Sequence, residues 1–141
     1  MLMLGNKEIA RLFFEETWSK GNLAIVDELT SPDFKIHYTI FPQPLDREGF
    51  KSFITDVHAG FPDLQLTITE MIAEADKVVI CWAAKGTHQG LIHLLNLPPT
   101  GRAISYTGVE MYRLSDGKIV EGRTEEDALG LLQQLGVIPA L

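Results

Sequence analysis

Charged residues gather near the end of the last extended segment of this 141-residue chain. Four of them occupy alternate positions: Glu121, Arg123, Glu125 and Asp127. A β-strand would present all four on one face, because successive side chains point to opposite sides. If that face lines a pocket, Arg123 would lower the pKa of a neighbouring carboxyl group, and the set would suit activation of water for hydrolysis. If it meets solvent, the set is an ordinary charged surface, and the sequence leaves both interpretations open.

Metal-binding and nucleotide-binding motifs are missing from the sequence. The four histidines, His37, His58, His88 and His93, lack the spacing of a metal-ligating pair on one helix, and we predict no metal site. His37 alternates with apolar neighbours and faces either a pocket or solvent. The single cysteine, Cys81, cannot form an intrachain disulfide bond or a thiolate cage. Glycine-rich phosphate loops and serine nucleophile motifs are also absent.

The composition narrows the class of partner. The net charge is −7, and no cluster of Lys or Arg stands out, so nucleic acid is not an expected partner. No segment approaches the roughly 20 apolar residues of a membrane span. Residues 1–5 lack the basic start and long apolar core of a signal peptide, which predicts a cytoplasmic protein without a membrane partner. The length and the 45% hydrophobic content predict a single domain over residues 1–141.

Helical patterns dominate the first half of the chain. Apolar residues at helical spacing predict a helix over residues 6–20 that ends at Gly21. Asn22 can cap a short second helix. Asp46 can cap a third helix, whose inner face is strongly aromatic. These helices must lie on another element to bury their apolar faces.

Several segments have the residue pattern of β-strands and predict a sheet on which the helices can lie. A strand is predicted over residues 34–40, and another, with a bulge near Glu70, over residues 64–72. Three longer β-segments, rich in β-branched and aromatic residues, occupy residues 77–127. The dipeptide Asp116-Gly117 predicts a type I′ turn, so the last two segments should be antiparallel neighbours. Segments this long must bend, and the bent sheet has a concave face.

Together the elements predict an α+β fold, in which a cone-shaped, curved sheet, antiparallel or mixed, wraps around the N-terminal helices and leaves an internal cavity. Function would lie in that cavity, and we expect Trp18 and Phe53 to contact a substrate there. The segment from Val78 to Ala84 is apolar on both faces, so its outer face needs a cover. We predict that a second copy of the chain supplies it in a homodimer.

Several short motifs follow one another in a specific order. They are Gly86-Thr-His-Gln-Gly90, Pro98-Pro-Thr-Gly101, Tyr112-Arg, Asp116-Gly-Lys-Ile119, and Asp127 followed by Leu131-Leu-Gln-Gln-Leu-Gly136. The set resembles the SnoaL-like polyketide cyclase family of the nuclear transport factor 2-like, or ketosteroid isomerase-like, superfamily. The resemblance implies an α+β cone, a pocket without a cofactor, a homodimer and, in the best-known members, intramolecular aldol closure of a polyketide ester. Relatives isomerise, dehydrate or hydrolyse epoxides, so the fold alone does not fix the reaction.

The resemblance also implies roles for individual residues. Asp127 matches the acid/base aspartate, and His88 matches a histidine that could orient the substrate carbonyl or help stabilise an enolate. His37, Arg123 and Glu125 are further candidates for substrate contact. The residues alone allow other interpretations, in which Asp127 is an ordinary helix cap and His88 is structural.

The expected function is acid/base catalysis, without a cofactor, on a small hydrophobic carbonyl compound. Residues 123–126 depart from the family's pattern, in which aromatic or apolar residues are common at these positions, and this departure leaves the reaction type open. The alternative is a module that uses the same cone to bind a ligand or to dimerise, without catalysis.

Overall fold

Helices and strands follow one another in the order that the sequence predicts. The structure is a computed structural model that describes residues 4–141, so the first residues, on which the expectation of no signal peptide partly rests, lie outside the described residues. The elements are α1 (Asn6–Phe14), a π-helical turn (Glu15–Ser19), α2 (Ala24–Leu29), β1 (Thr30–Tyr38), α3 (Arg47–Gly60), β2 (Gln65–Glu74), β3 (Lys77–Thr87), a 3-10 turn (His93–Leu95), β4 (Ala103–Ser115), β5 (Lys118–Glu126) and α4 (Ala128–Gln134). The predicted α+β class is confirmed.

The five strands form one mixed sheet in the order β1-β5-β4-β3-β2. β1 runs parallel to β5, and the other neighbours are antiparallel. Asp116 and Gly117 both have positive φ, 51° and 75°, which confirms the predicted tight turn between β4 and β5. The predicted bulge in β2 is also confirmed, because the register with β3 shifts between Ile68 and Glu70.

Two of the three capping residues predicted from the sequence are confirmed. Gly21 has φ of 66°, a left-handed conformation that ends the first helical segment at little steric cost. Asp46 accepts a hydrogen bond from the Gly49 amide at 2.8 Å and caps α3. For α2 the predicted cap was wrong: Leu23 is the N-cap and no side chain caps the helix, although Asn22, one residue earlier, accepts a hydrogen bond from the Ala24 amide at 3.2 Å.

The start of β1 is the main difference from the predicted elements. The strand begins at Thr30, four positions before the predicted start at Phe34, and it includes Pro32. Proline is tolerated here because β1 is an edge strand, where one row of backbone groups has no strand partner. The register with β5 is irregular between Thr30 and Lys35, as expected where proline interrupts a ladder.

The narrow end of the cone is filled by aromatic side chains. Phe13 of α1 packs against Phe34, Phe50 and Tyr112, with ring centroids 5.5 to 6.1 Å apart. All four side chains are fully buried. This cluster fixes the helices to the inner face of the sheet. Within residues 4–141, no helix combines the length and apolar character needed to cross a membrane.

The outer face of the sheet generates the first prediction. Val79 and Cys81 of β3 pair with Met111 and Val109 of β4, and Val109 is 42% exposed. A second copy of the chain would bury this apolar strip. We expect light scattering at micromolar concentration to report a dimer and Val109→Lys to report a folded monomer. Only monomer for the wild-type chain would contradict the prediction, and Thr55→Lys on the exposed side of α3 is the control.

Candidate active site

A cavity of about 710 Å³ lies between the helices and the inner face of the sheet. Seven aromatic side chains contribute to its wall: Trp18, Tyr38, Phe41, Phe53, Phe61, Trp82 and Tyr106. Ile40, Leu94 and Leu95 also line it and are more than one-third exposed, so they mark its opening. The wall is largely apolar and suits an apolar ligand.

The charged residues on this wall all carry the same sign. They are Asp56, Glu110 and Glu126, and no Lys or Arg within residues 4–141 joins them. His93 lies near the opening. The described residues also contain no group of three or more His, Cys, Asp or Glu side chains arranged to hold a metal ion. The acidic groups are therefore the main candidates for chemistry.

Glu110 lies in an inner row that crosses three strands. It pairs in register with Thr124 of β5, and Thr124 pairs with Tyr38 of β1. Two positions further along β4, the Tyr112 hydroxyl donates a hydrogen bond to Oε2 of Glu110. Glu110 and Tyr112 are almost completely buried. The hydroxyls of Tyr38 and Thr124 are buried too, and neither has a hydrogen-bond partner among the described residues.

Burial raises the pKa of Glu110 to about 7, because desolvation penalises the charged form. The Tyr112 hydrogen bond opposes this rise, and the charge of Glu126 adds to it. The neighbouring Thr124 and Tyr38 hydroxyls also oppose it, although neither forms a hydrogen bond among the described residues. Burial, followed by the charge of Glu110, raises the pKa of both tyrosines well above the ordinary value. Both phenols therefore stay protonated near neutral pH.

Glu126, the last residue of β5, lies next along the same inner face. Its register partner is Gly108 of β4, which in turn pairs with Trp82 of β3. A β-carbon at position 108 would lie 2.2 Å from the Trp82 ring, so only glycine leaves room for the indole. Burial raises the pKa of Glu126 to about 7. Unlike Glu110, this carboxyl group is partly accessible.

The two carboxyl groups influence each other. They lie on neighbouring strands, and a charge on Glu126 disfavours a charge on Glu110. Because the pKa of each group is raised to about 7, either group can hold or release a proton near neutral pH. Glu126 is the more hydrated of the two, since Glu110 is almost completely buried. Two titrating acids thus share the wall of the cavity.

Asp127 follows Glu126 but points elsewhere. Its side chain is exposed, and Oδ1 accepts a hydrogen bond from the Gly130 amide at 2.9 Å. Asp127 is therefore the N-cap of α4. A β-carbon at Gly130 would lie 2.2 Å from the carboxylate, so glycine is needed for this close approach. The cavity wall among the described residues includes Glu126 and Ala128 on either side of Asp127, but not Asp127 itself.

His88 is buried in the loop between β3 and β4. Its Nδ1 accepts a hydrogen bond from the Thr100 amide at 3.2 Å and lies 2.9 Å from the Thr100 hydroxyl. Its backbone pairs with Gly101 and Arg102, and its ring packs against Phe61 at 5.6 Å. His88 therefore holds the two ends of this loop together. The His88 side chain is not among the described groups that line the cavity.

Three other predicted contacts lie together outside the cavity. His37, Arg123 and Glu125 line a separate depression of about 180 Å³. His37 lies 4.0 Å and Arg123 lies 3.9 Å from carboxylate oxygens of Glu121. Arg123 and Glu125 share a strand face, as their spacing predicts, and both are exposed. Their role in substrate contact stays a prediction.

Trp18 and Phe53 both lie on the wall of the main cavity. Their rings meet edge to face, with centroids 5.9 Å apart. Phe53 also contacts Tyr38 at 4.8 Å and Phe41 at 5.2 Å. These positions suit contact with an apolar ligand, which likewise stays a prediction.

Sequence reasoning missed Glu110 and Glu126, although a signal for each was present. Glu110 shares the strand parity of Ile104, Tyr112 and Leu114, which are apolar or aromatic side chains of the inner face. A lone carboxylate among such residues indicates a buried acid. Glu126 has the opposite parity to Asp127, so the two cannot both point into the cone.

The geometry defines a class: an α+β cone with an apolar cavity and two carboxyl groups of raised pKa on its inner wall. The family model described as SnoaL-like polyketide cyclase matches residues 8–135. The chain belongs to this family, as the resemblance of its motifs implied. A search of curated proteins found no significant match.

Solved structures agree with this assignment. IdmH from Streptomyces antibioticus, a candidate polyketide cyclase, is 33% identical over 94% of this chain and 99% of its own, with a TM-score of 0.80. A candidate SnoaL-like polyketide cyclase from Jannaschia sp. CCS1 is 26% identical over 95% of this chain and 93% of its own, with a TM-score of 0.85. AclR from Streptomyces galilaeus, a candidate hydroxylase, is 28% identical over 96% of this chain and 83% of its own, with a TM-score of 0.83.

The buried acid generates a prediction about pH and stability. The pKa of Glu110 is about 7 in the folded state against an ordinary value of 4.5, so the folded state binds more protons between these values. The free energy of unfolding should therefore fall as pH rises through this window. Glu110→Gln should remove its share of the fall, roughly 3 kcal/mol. Urea unfolding at both ends of the window measures this. Equal slopes for wild type and Glu110→Gln would contradict it, and exposed Glu125→Gln is the control.

The cap on α4 generates another prediction. Asp127→Ala should lower the free energy of unfolding by on the order of 1 kcal/mol, because the Gly130 amide loses its acceptor. Asp127→Asn should stay within a few tenths of a kcal/mol of wild type, since asparagine is an equally good cap. Urea unfolding at a single pH distinguishes the two. An alanine variant as stable as wild type would remove the capping role.

Proposed function

We propose that this protein is an acid/base enzyme that needs no cofactor and acts on a small apolar carbonyl compound, with intramolecular aldol-type cyclisation as its reaction. The observation that carries the proposal is the partly accessible Glu126 carboxyl group on an apolar cavity wall, with its pKa raised to about 7. A base with such a pKa is matched to proton transfer near neutral pH. Family membership supports the same class of chemistry.

In this mechanism Glu126 removes a proton from the carbon next to a carbonyl group. The electron pair of that C–H bond forms an enolate, and negative charge develops on the carbonyl oxygen. Protonated Glu110 and the unpartnered Tyr38 hydroxyl lie in the adjacent row and are suitable donors to that oxygen. The low polarity of the wall strengthens such hydrogen bonds.

Ring closure completes the cycle. The enolate carbon forms a bond to a second carbonyl carbon of the same molecule, whose oxygen becomes an alkoxide. Protonated Glu126 returns its proton to this alkoxide and is again a carboxylate. One carboxyl group thus serves as base and then as acid, with no net gain or loss of protons.

Asp127 stays the other candidate for this role by family resemblance, and the two acids can be separated. The geometry favours Glu126, because it lies on the wall whereas Asp127 caps α4 in solvent. The reaction type also needs a direct test, because one similar structure is a candidate hydroxylase rather than a cyclase. An assay of carbon acid exchange serves both purposes without knowledge of the natural substrate.

We expect the protein to accelerate exchange of the α-protons of 2-tetralone in deuterated buffer, followed by NMR. The rate should be highest near pH 7, because Glu126 must be ionised while Glu110, whose pKa is also about 7, must keep its proton. Glu126→Gln should lower the catalysed rate by about 100-fold or more, while Asp127→Asn, which keeps the cap, should retain it. Unchanged exchange in Glu126→Gln, or its loss in Asp127→Asn, would overturn the assignment.

The same samples test the alternative of a binding module. Both tryptophans of the chain lie on the cavity wall, so quenching of their fluorescence reports ligand in the cavity. Binding of 2-tetralone without any acceleration of exchange would favour a module without catalysis.

A further inference from the structure

The side chains that can carry a full charge on the cavity wall are mainly acidic. Within the described residues, Asp56 of α3, Glu110 of β4 and Glu126 of β5 are acidic, and no side chain of Lys or Arg lines the wall. His93 at the opening and the tyrosines are the remaining titratable groups there. A ligand carboxylate would add negative charge to this space, whereas a ligand cation would attract these carboxyl groups in their ionised form.

A second feature favours a cation independently of the carboxyl groups. Aromatic rings attract cations through their faces, and Tyr38, Phe41 and Phe53 form one corner of the wall with ring centroids 4.8 to 6.5 Å apart. The Tyr38 side chain is 4% exposed, and its hydroxyl has no partner among the described residues. Its oxygen can therefore accept a hydrogen bond from an N–H donor.

We propose that the cavity binds apolar molecules that carry a protonated amine, with Glu126 and Glu110 as counter-charges and the Tyr38 corner around the ammonium group. This inference goes beyond the proposed function, because it concerns the charge of the ligand and needs no turnover. The apolar wall holds the body of the molecule. The amine supplies the positive charge that the cavity lacks.

The pH dependence of amine binding follows from the groups that surround Glu110 and Glu126. Glu110 is surrounded by Tyr112 on its own strand, by Tyr38 and Thr124 on β1 and β5, and by Ile80 on β3. None of these provides a positive charge. Glu126 faces Gly108 and the Trp82 ring, and it raises the pKa of Glu110 through its charge. A bound ammonium group would favour ionisation of both carboxyl groups, so binding should strengthen as pH rises.

Three probes that share one rigid hydrocarbon cage but differ in charge separate the effect of ligand charge from that of ligand shape. They are 1-adamantanemethylamine, 1-adamantanemethanol and 1-adamantanecarboxylate, which are cationic, neutral and anionic near neutral pH. Titration against tryptophan fluorescence gives each Kd, since Trp18 and Trp82 both line the cavity. Near pH 8, we expect the amine to bind at least about 10-fold more tightly than the alcohol, and the carboxylate to bind most weakly.

The advantage of the amine over the alcohol should shrink several-fold toward pH 5.5, where the carboxyl groups gain protons while the amine stays charged. Glu126→Gln and Glu110→Gln should each reduce this advantage, and Glu74→Gln, an exposed position on β2, should not. The alcohol reports whether each variant keeps its cavity. Equal or tighter binding of the alcohol at pH 8, no quenching by the amine, or an advantage that survives both substitutions would overturn the proposal. Exchange of 2-tetralone protons would still test the proposed function separately.

Discussion

Burial of the Glu110 carboxyl group in an apolar sheet face is the constraint on which the site depends. An isolated carboxylate there would be strongly disfavoured, so the group needs a proton, a donor or both. Tyr112 supplies the donor, and its ring is held by Phe13 in the aromatic cluster at the narrow end of the cone. The packing that stabilises the fold therefore also positions the acid. A Tyr112 ring displaced by a change in this core would leave Glu110 without its hydrogen bond.

Glu126 and Asp127 are neighbours in the sequence, but their side chains point in different directions. Glu126 ends β5 on the inner face, and its environment raises its pKa to about 7. Asp127 comes next, turns outward and begins α4 as its cap. The pair illustrates why residue type and proximity in sequence do not decide function. The cap holds the start of α4, and Leu131, Leu132 and Leu135 of this region close part of the cavity, so the outer acid supports the wall that surrounds the inner one.

Much of the fold follows from local patterns in the sequence, whereas the site depends on pairing between distant strands. Helical periodicity, the Asp46 cap and the Asp116-Gly117 turn act within a few residues, and each is confirmed. The early start of β1 was missed because Pro32 reads as a terminator unless the strand is known to lie at an edge. Strand parity predicted that Arg123 and Glu125 share one face of β5. It did not predict whether that face points into the cavity or outward. That direction is fixed by the parallel pairing of β5 with β1, which joins residues about 86 positions apart and follows no local rule.

The packed end and the open end of the cone differ in how tightly their side chains are held. At the narrow end the aromatic cluster is fully buried, so substitution there removes packing and lowers stability. At the open end Ile40, Leu94 and Leu95 are more than one-third exposed, so substitution there removes less packing. Tyr112 and Glu110 join the two ends, because one packs in the core and the other reaches the cavity. The hydrogen bond between them therefore ties an acid on the cavity wall to the packed core.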